Sequence, residues 1–180
     1  MTTKLPDDTP YLYVCPLSGL SGVAAVLDRF DLLTLLSPDY EVGDHRSLGC
    51  DRHLELSFHD ITETRTGLVA PDRTIMRAIL DFARDARNHK MLIHCWAGIS
   101  RSSAAAYVIA CDRNPGFERE IAEELRRRAP SVTPNGLMVS LADDLLGRSG
   151  RMTEAIHGIG RGADAFEGEP YQLPLSWSIE

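Results

Sequence analysis

A short apolar run followed by a glycine-containing turn and an alanine-rich stretch most restricts the fold of this chain. Residues 91–94 are apolar up to a final histidine, Gly98 interrupts the next segment, and residues 101–112 are dense in alanine. The first pattern is typical of a buried strand and the last of a helix. A strand that leads through a tight turn into a helix is the repeating unit of a parallel sheet.

The alternation of strand and helix continues on both sides of this unit. Further strands are predicted at 11–15, at 32–36 and at 54–58, where apolar and polar residues alternate with a period of two. A loop is predicted at 39–52. The last twenty residues are predicted to form an extended tail. Helices are predicted at 18–29, 71–86 and 118–128, after Pro134 and Asn135, and at 151–157. The chain is therefore expected to be an α/β domain with a mostly parallel central sheet and helices on both sides.

The chain of 180 residues is long enough to bury one core of ordinary size. Glycine and proline become frequent after Gly147. We therefore predict a catalytic domain at 1–147 and a C-terminal extension at 148–180 that packs on the same domain. The run Arg126 to Arg128 follows several glutamates and is interpreted as a solvated helix face.

Charge and composition exclude several classes of function. The net charge of −7 argues against binding to nucleic acid or to anionic lipid surfaces. No apolar run approaches the ~20 residues of a membrane helix, and the first residues lack an apolar stretch of the signal-peptide type. The widely spaced Cys15, Cys50, Cys95 and Cys111 are interpreted as reduced thiols of a cytoplasmic protein. The histidines lack zinc-site spacing, and neither a metal nor another cofactor is expected.

The loop between the strand at 91–94 and the following helix carries the chemistry. Such a loop points backbone N–H groups inward and lies at the positive end of the helix dipole, which makes it an anion site. Cys95 begins the loop, and Arg101 stands where the helix starts. These groups favour a negatively charged sulfur, the nucleophilic form of cysteine, and they equally suit a phosphate group.

Residues His94 to Ser102 match the His-Cys-(any five)-Arg-Ser/Thr signature of the cysteine-dependent protein tyrosine phosphatases. Gly98 and the Ser100-Arg101-Ser102 run make the loop resemble the dual-specificity branch most. The resemblance extends from residue 54 to the end of the alanine-rich helix. It implies a phosphatase-type strand, phosphate-binding loop and helix, and hydrolysis through a cysteinyl-phosphate intermediate.

The resemblance also implies roles for individual residues. Cys95 would be the nucleophile, Arg101 would bind the phosphate oxygens, and Ser102 would stabilise the departing thiolate. His94 would orient the loop through hydrogen bonds. The substrate would be bound by the loop as a whole, which consists of Trp96, Ala97, Gly98, Ile99, Ser100 and Arg101.

The leaving oxygen needs a proton, and the family supplies it from an aspartate on a loop upstream of the cysteine. Asp60, which precedes Cys95 by 35 positions, is the preferred candidate. Asp72 is the alternative, but an acid in the first turn of a helix is well explained by the helix dipole. Asp51 precedes its strand and is expected at the wrong end of the sheet.

The resemblance leaves the substrate open between protein and non-protein phosphate esters. The loop carries no lysine of the kind that lipid phosphatases of this family use, so phosphotyrosine in proteins is favoured, with phosphoserine and phosphothreonine also considered. The alternatives are a catalytically silent phospho-binding module and a sulfur transferase of the rhodanese type. Cys111 is expected in the core, whereas Cys15 or Cys50 is considered as a partner of Cys95 on oxidation, and the oligomeric state is left open.

Overall fold

Five strands build one sheet among the residues that the computed structural model describes, which are 10–40, 43, 45–86 and 90–178. The strands lie in the order β3-β2-β4-β1-β5, and β1 to β4 all run parallel to one another. Strand β5 pairs with β1 in the antiparallel direction at one edge. The strands are β1 (Tyr11–Pro16), β2 (Asp31–Leu36), β3 (Arg52–Ser57), β4 (Lys90–Cys95) and β5 (Tyr171–Pro174).

Helices cover both faces of the sheet, which confirms the predicted α/β class, but they are divided unequally. The larger face carries five helices and most of the core, whereas the smaller face carries α1 and two short 3-10 helices. None of the described helices is both long enough and apolar enough to span a membrane. The α-helices are α1 (Leu20–Val26), α2 (Arg73–Arg84), α3 (Arg101–Arg113), α4 (Glu118–Arg128), α5 (Gly136–Leu145) and α6 (Arg151–Ile159).

Helix α3 lies at the centre of the larger face. Its residues from Arg101 to Cys111 are all buried, and it packs on β1 and β4 as well as on α2, α4 and α5. Its alanines allow the neighbouring helices and strands to approach closely, since the distance between packed elements depends on the side chains between them. The N-terminus of α3 is thereby held at the carboxyl end of β4.

Several predicted elements differ in extent from the observed ones, and the helix predicted at 71–86 spans only Arg73–Arg84. The helix predicted at 18–29 begins as a 3-10 helix at Leu17–Gly19 and ends at Val26, before an extended Leu27 and a positive φ of 52° at Arg29. The predicted loop at 39–52 contains a 3-10 helix at His45–Leu48, and positions 41, 42 and 44 of that loop lie outside the described residues.

Strand β3 begins at Arg52, two residues before the alternating apolar pattern does. The Arg52 guanidinium donates to the backbone carbonyls of Phe82 and Asp85, so tertiary contacts extend this strand beyond its apolar residues. The tail is extended at β5, as predicted. The first nine residues, on which the expectation of no signal peptide rests, lie outside the described residues.

Candidate active site

The predicted phosphate-binding loop connects β4 to α3 at the carboxyl end of the parallel strands. Cys95 ends β4 opposite Pro16, the last residue of β1. The backbone N–H of Leu17 donates to the Trp96 carbonyl at 3.0 Å. Gly98 has a φ of +70°, and a Cβ there would lie 2.7 Å from the Pro16 nitrogen. Only glycine fits this position, because the end of β1 closes around the loop.

The Cys95 side chain is 2% exposed and points toward the N-terminus of α3. Its Sγ lies 3.2 Å from the Oγ of Ser102, within hydrogen-bonding distance for sulfur. Ser102 is fully buried in the first turn of the helix. The sulfur, the serine hydroxyl and the positive end of the helix dipole therefore meet at one point, where a negative charge is stabilised.

Arg101 is held rigidly although it is the first residue of a helix. Its side chain is buried, and Nη1 donates to the Phe58 carbonyl at 2.7 Å and to the Ser37 Oγ at 3.1 Å. The two acceptors lie just beyond β3 and β2. The buried Nε has no hydrogen-bond partner among the described residues, so it is a donor with capacity for an anion.

Asp60 is brought to the loop across 40 residues of sequence. It lies beyond the end of β3, and its Oδ1 accepts hydrogen bonds from the Ser100 Oγ at 2.7 Å and from the Asn135 Nδ2 at 2.8 Å. The carboxylate is solvent-exposed. A candidate acid is therefore tied directly to the loop that carries Cys95.

The two other aspartates that the sequence offered lie elsewhere. Asp72 is the N-cap of α2, where its side chain accepts from the Ile75 N–H at 2.8 Å. Asp51 precedes β3 and pairs with Arg29, at the amino end of the parallel strands. Neither carboxylate contacts the loop, and both have local structural partners.

Asn135, which the sequence pattern marks only as the start of a helix, is also part of the site. Its Oδ1 accepts from the Met138 N–H and caps α5, while its Nδ2 donates to both Asp60 and the Ile61 carbonyl. Its backbone N–H donates to the Ser100 carbonyl at 3.3 Å. The capping role could be read from an asparagine before a helical pattern. The contact with Asp60 could not, because the two residues are 75 positions apart.

His94 is completely buried on the face opposite to Cys95. Its Nε2 and the Nε2 of His53 both lie within hydrogen-bonding distance of the Thr34 Oγ1, at 2.8 and 2.9 Å. The ring of His45 stacks on His94 with centroids 5.7 Å apart. Burial, and secondarily the neighbouring His45, lowers the pKa of His94 to about 4. The ring is therefore neutral at pH 7.

The thiols considered as oxidative partners of Cys95 face away from it. Cys15 pairs with His94 in the sheet register and packs in the smaller core, as does the half-buried Cys50. Cys95 belongs to the larger core on the other face, because successive residues of a strand point to opposite sides. Burial raises the pKa of Cys15 to about 12. Cys111 is buried in α3, as expected of a core residue.

Six loop residues are predicted to contact substrate, and the five that precede Arg101 differ in exposure. Gly98 is buried, Ala97, Ile99 and Ser100 are half-buried, and Trp96 is the most exposed. The C-terminal segment approaches this loop directly, since the Gly168 N–H donates to the Ala97 carbonyl at 2.8 Å. In the described part of the chain, no group of three or more His, Cys, Asp or Glu side chains could hold a metal ion.

The sequence matches no family model and no curated protein. Several solved structures are nevertheless similar in fold. A mutant form of Tk-PTP is 24% identical, with a TM-score of 0.55 over 74% of this chain and 86% of that one. PTPMT1 in complex with PI(5)P is 16% identical, with a TM-score of 0.58 over 79% and 92%.

The Yvh1 phosphatase domain from Chaetomium thermophilum is 17% identical, with a TM-score of 0.56 over 83% of this chain and 96% of that domain. The likeness to these three structures shows that the chain has the fold of the cysteine-based protein tyrosine and dual-specificity phosphatases.

Proposed function

We propose that this chain, whose fold is that of the cysteine-based phosphatases, hydrolyses phosphomonoesters through a cysteinyl-phosphate intermediate. The observation that carries the proposal is the convergence of three groups on one loop. Cys95 lies 3.2 Å from Ser102, the Arg101 guanidinium is fixed by the Phe58 carbonyl, and Asp60 is bonded to Ser100. Nucleophile, anion receptor and acid are the parts that this reaction needs.

In the first step the Cys95 sulfur attacks phosphorus, and the bond from phosphorus to the ester oxygen breaks. Protonated Asp60 gives its proton to that oxygen as it leaves. The backbone N–H groups of the loop and the free donors of Arg101 stabilise the charge on the transferring phosphoryl group. The guanidinium needs little reorganisation, because Phe58 and Ser37 already fix its position.

In the second step water attacks phosphorus, and the sulfur–phosphorus bond breaks. Asp60, now a carboxylate, takes the proton from the water. The Ser102 hydroxyl donates a hydrogen bond to the departing thiolate, which the contact with Cys95 makes possible. The products are inorganic phosphate and the regenerated enzyme.

Two observations favour phosphotyrosine in proteins as the substrate over a phosphoinositide. The loop positions 96–100 carry no cation to hold additional phosphates. The neighbouring C-terminal segment is acidic, which opposes a multiply charged head group. One structural neighbour is a complex with PI(5)P, so a lipid head group is the competing substrate class. We also propose a cytoplasmic location, where the free cysteines stay reduced.

Replacement of the nucleophile tests the proposed reaction. Cys95→Ser should abolish turnover of phenyl phosphate while the protein still binds inorganic phosphate. Cys50→Ser, a change of the same kind at a half-buried thiol on the other face, should retain wild-type activity. A Cys95→Ser protein that keeps most of its turnover would contradict the mechanism. A wild-type protein that binds phosphate without hydrolysing any ester would instead be a phospho-binding module.

The proposed acid is tested by the dependence of rate on the leaving group. Asp60→Asn should lower kcat about 10²–10⁴-fold for a poor leaving group such as an alkoxide. The loss should be much smaller for an aryl ester of an acidic phenol, which leaves without a proton. Asp72→Asn is the matched control, because asparagine also caps a helix well. An equal loss for both esters would show that another group donates the proton.

A further inference from the structure

The C-terminal segment 160–170 is bound along the side of the molecule that carries the phosphate-binding loop. Its first half is held to the turn after α4. Arg126, which the sequence suggested was a solvated residue, donates to the Gly160 carbonyl at 2.7 Å and to the carbonyls of Pro130 and Val132. The Ala163 N–H donates to Pro130 at 2.9 Å. Arg126 therefore joins the segment to the domain.

The second half of the segment reaches the loop itself. The Gly168 N–H donates to the Ala97 carbonyl, and a Cβ at Gly168 would lie 3.1 Å from the Gly98 carbonyl oxygen. The Ser18 Oγ donates to the Glu167 carboxylate at 2.9 Å on the other side. Residues 166 and 167 are therefore held between fixed points at the edge of the site.

This arrangement places two exposed aromatic side chains together beside the nucleophile. Phe166 is 81% exposed, and its ring meets the ring of Trp96 edge to face with centroids 5.4 Å apart. Trp96, which directly follows Cys95, is 36% exposed. Paired apolar surface left in solvent beside a candidate anion site is typical of a ligand contact. Phe166 does not contribute to the hydrophobic core, because most of its side chain is exposed to solvent.

The charges of the segment limit which ligands could bind beside it. It contains Asp164, Glu167 and Glu169, all exposed, and its one basic residue, Arg161, is paired with Asp164 at 2.6 Å. A substrate with several phosphates would be repelled there. A single phosphate on a flat, uncharged ring satisfies both the anion site and the aromatic pair.

We propose that Phe166 and Trp96 form an aromatic wall that binds the ring of an aryl phosphate, and that segment 160–170 thereby determines the preference for aryl esters. The inference rests on the proposed phosphatase function of the same loop. The ring would lie against the wall by the stacked or edge-on contacts that aromatic groups make. An alkyl phosphate would bind the loop without this contact.

The test measures binding in a Cys95→Ser background, where no turnover occurs. Phenyl phosphate should bind more tightly than inorganic phosphate. Phe166→Ala should raise the Kd of phenyl phosphate about two- to tenfold, the value of one aromatic contact, and leave that of inorganic phosphate unchanged. Phe166→Tyr should keep the Kd of phenyl phosphate close to that of the parent protein. Trp96→Ala should raise this Kd as Phe166→Ala does. Val26→Ala, at a residue 79% exposed on α1, is the matched control.

The outcomes separate this proposal from the proposed function. Equal changes for both ligands, no change for either, or tighter binding of an inositol phosphate than of phenyl phosphate would overturn the aromatic wall. These results would leave hydrolysis by the wild-type protein unaffected. Conversely, a wild-type protein that binds phenyl phosphate in the expected pattern without hydrolysing it would overturn the phosphatase function and support the wall. Thermal melting of each variant establishes that it is folded.

Discussion

Acidification should destabilise the fold through the buried His94, in a range of pH where most carboxylates do not titrate. The ordinary pKa of histidine is 6.5, and burial with the adjacent His45 lowers that of His94 to about 4. The folded state therefore binds this proton less readily than the unfolded state. Stability is fully present above pH 6.5 and is lost as the pH falls toward 4.

The size of the effect follows from the difference between the two pKa values. The free energy of unfolding should fall by about 2 kcal/mol by pH 5 and by about 3 kcal/mol by pH 4. The real loss includes a contribution of the same sign from His53, whose pKa burial also lowers. Carboxylates of ordinary pKa titrate near pH 4 and below, so the upper part of the range isolates the histidines.

Urea unfolding from pH 7.5 to pH 5 is the assay. His94→Gln removes the titrating group and keeps a side chain able to bond Thr34. Between pH 7.5 and pH 5, the free energy of unfolding of this variant should fall by about 2 kcal/mol less than that of the wild-type protein. His157→Gln, at an exposed position of α6, should leave the slope unchanged. An unchanged slope in His94→Gln, or a His94 ring that titrates near pH 6.5 by NMR, would refute the reasoning.

Three further predictions concern how the site is held together. Asn135→Asp keeps the cap of α5 but cannot donate a hydrogen bond to Asp60. The kcat should therefore fall several-fold for esters with poor leaving groups and little for esters with good ones. Equal losses for both kinds of ester would contradict a positioning role for Asn135. Gly98→Ala should abolish phosphate binding, measured by calorimetry, because a Cβ would collide with Pro16 and the φ of +70° is unfavourable. Arg126→Met should lower the free energy of unfolding by about 1–3 kcal/mol, measured by thermal unfolding, and make the C-terminal segment susceptible to proteolysis. A segment that stays resistant to proteolysis would show that Arg126 does not hold it.

Local patterns were sufficient for the class of fold. The alternation of Leu54, Leu56 and Phe58 marks a strand with one face buried, and the alanine-rich run after Gly98 marks a helix that packs closely. Each of these signals is made by residues a few positions apart, so it can be read without the fold. Element ends were less predictable, as at Arg52, because backbone and ion-pair contacts with α2 and the adjacent turn extend β3 beyond its apolar residues.

The candidate site divides in the same way. The loop from His94 to Ser102 is continuous in sequence, so its anion-binding geometry could be predicted from residue types and spacing. Asp60 could be proposed from its position after a strand, since the carboxyl ends of parallel strands meet at one edge of a sheet. The tertiary structure favours Asp60 over Asp72 further, because Asp60 is bonded to Ser100 of the loop and Asp72 is bonded to the Ile75 N–H of α2.

The sequence by itself therefore determined the class of the fold and the chemical character of the loop, because both depend on residues that are close along the chain. Only the tertiary structure decided that Asn135 bonds Asp60, that Cys15 faces away from Cys95, and that Phe166 stands against Trp96. Those relations join residues on different elements. They depend on sheet register and on the course of the C-terminal segment, which no local pattern records.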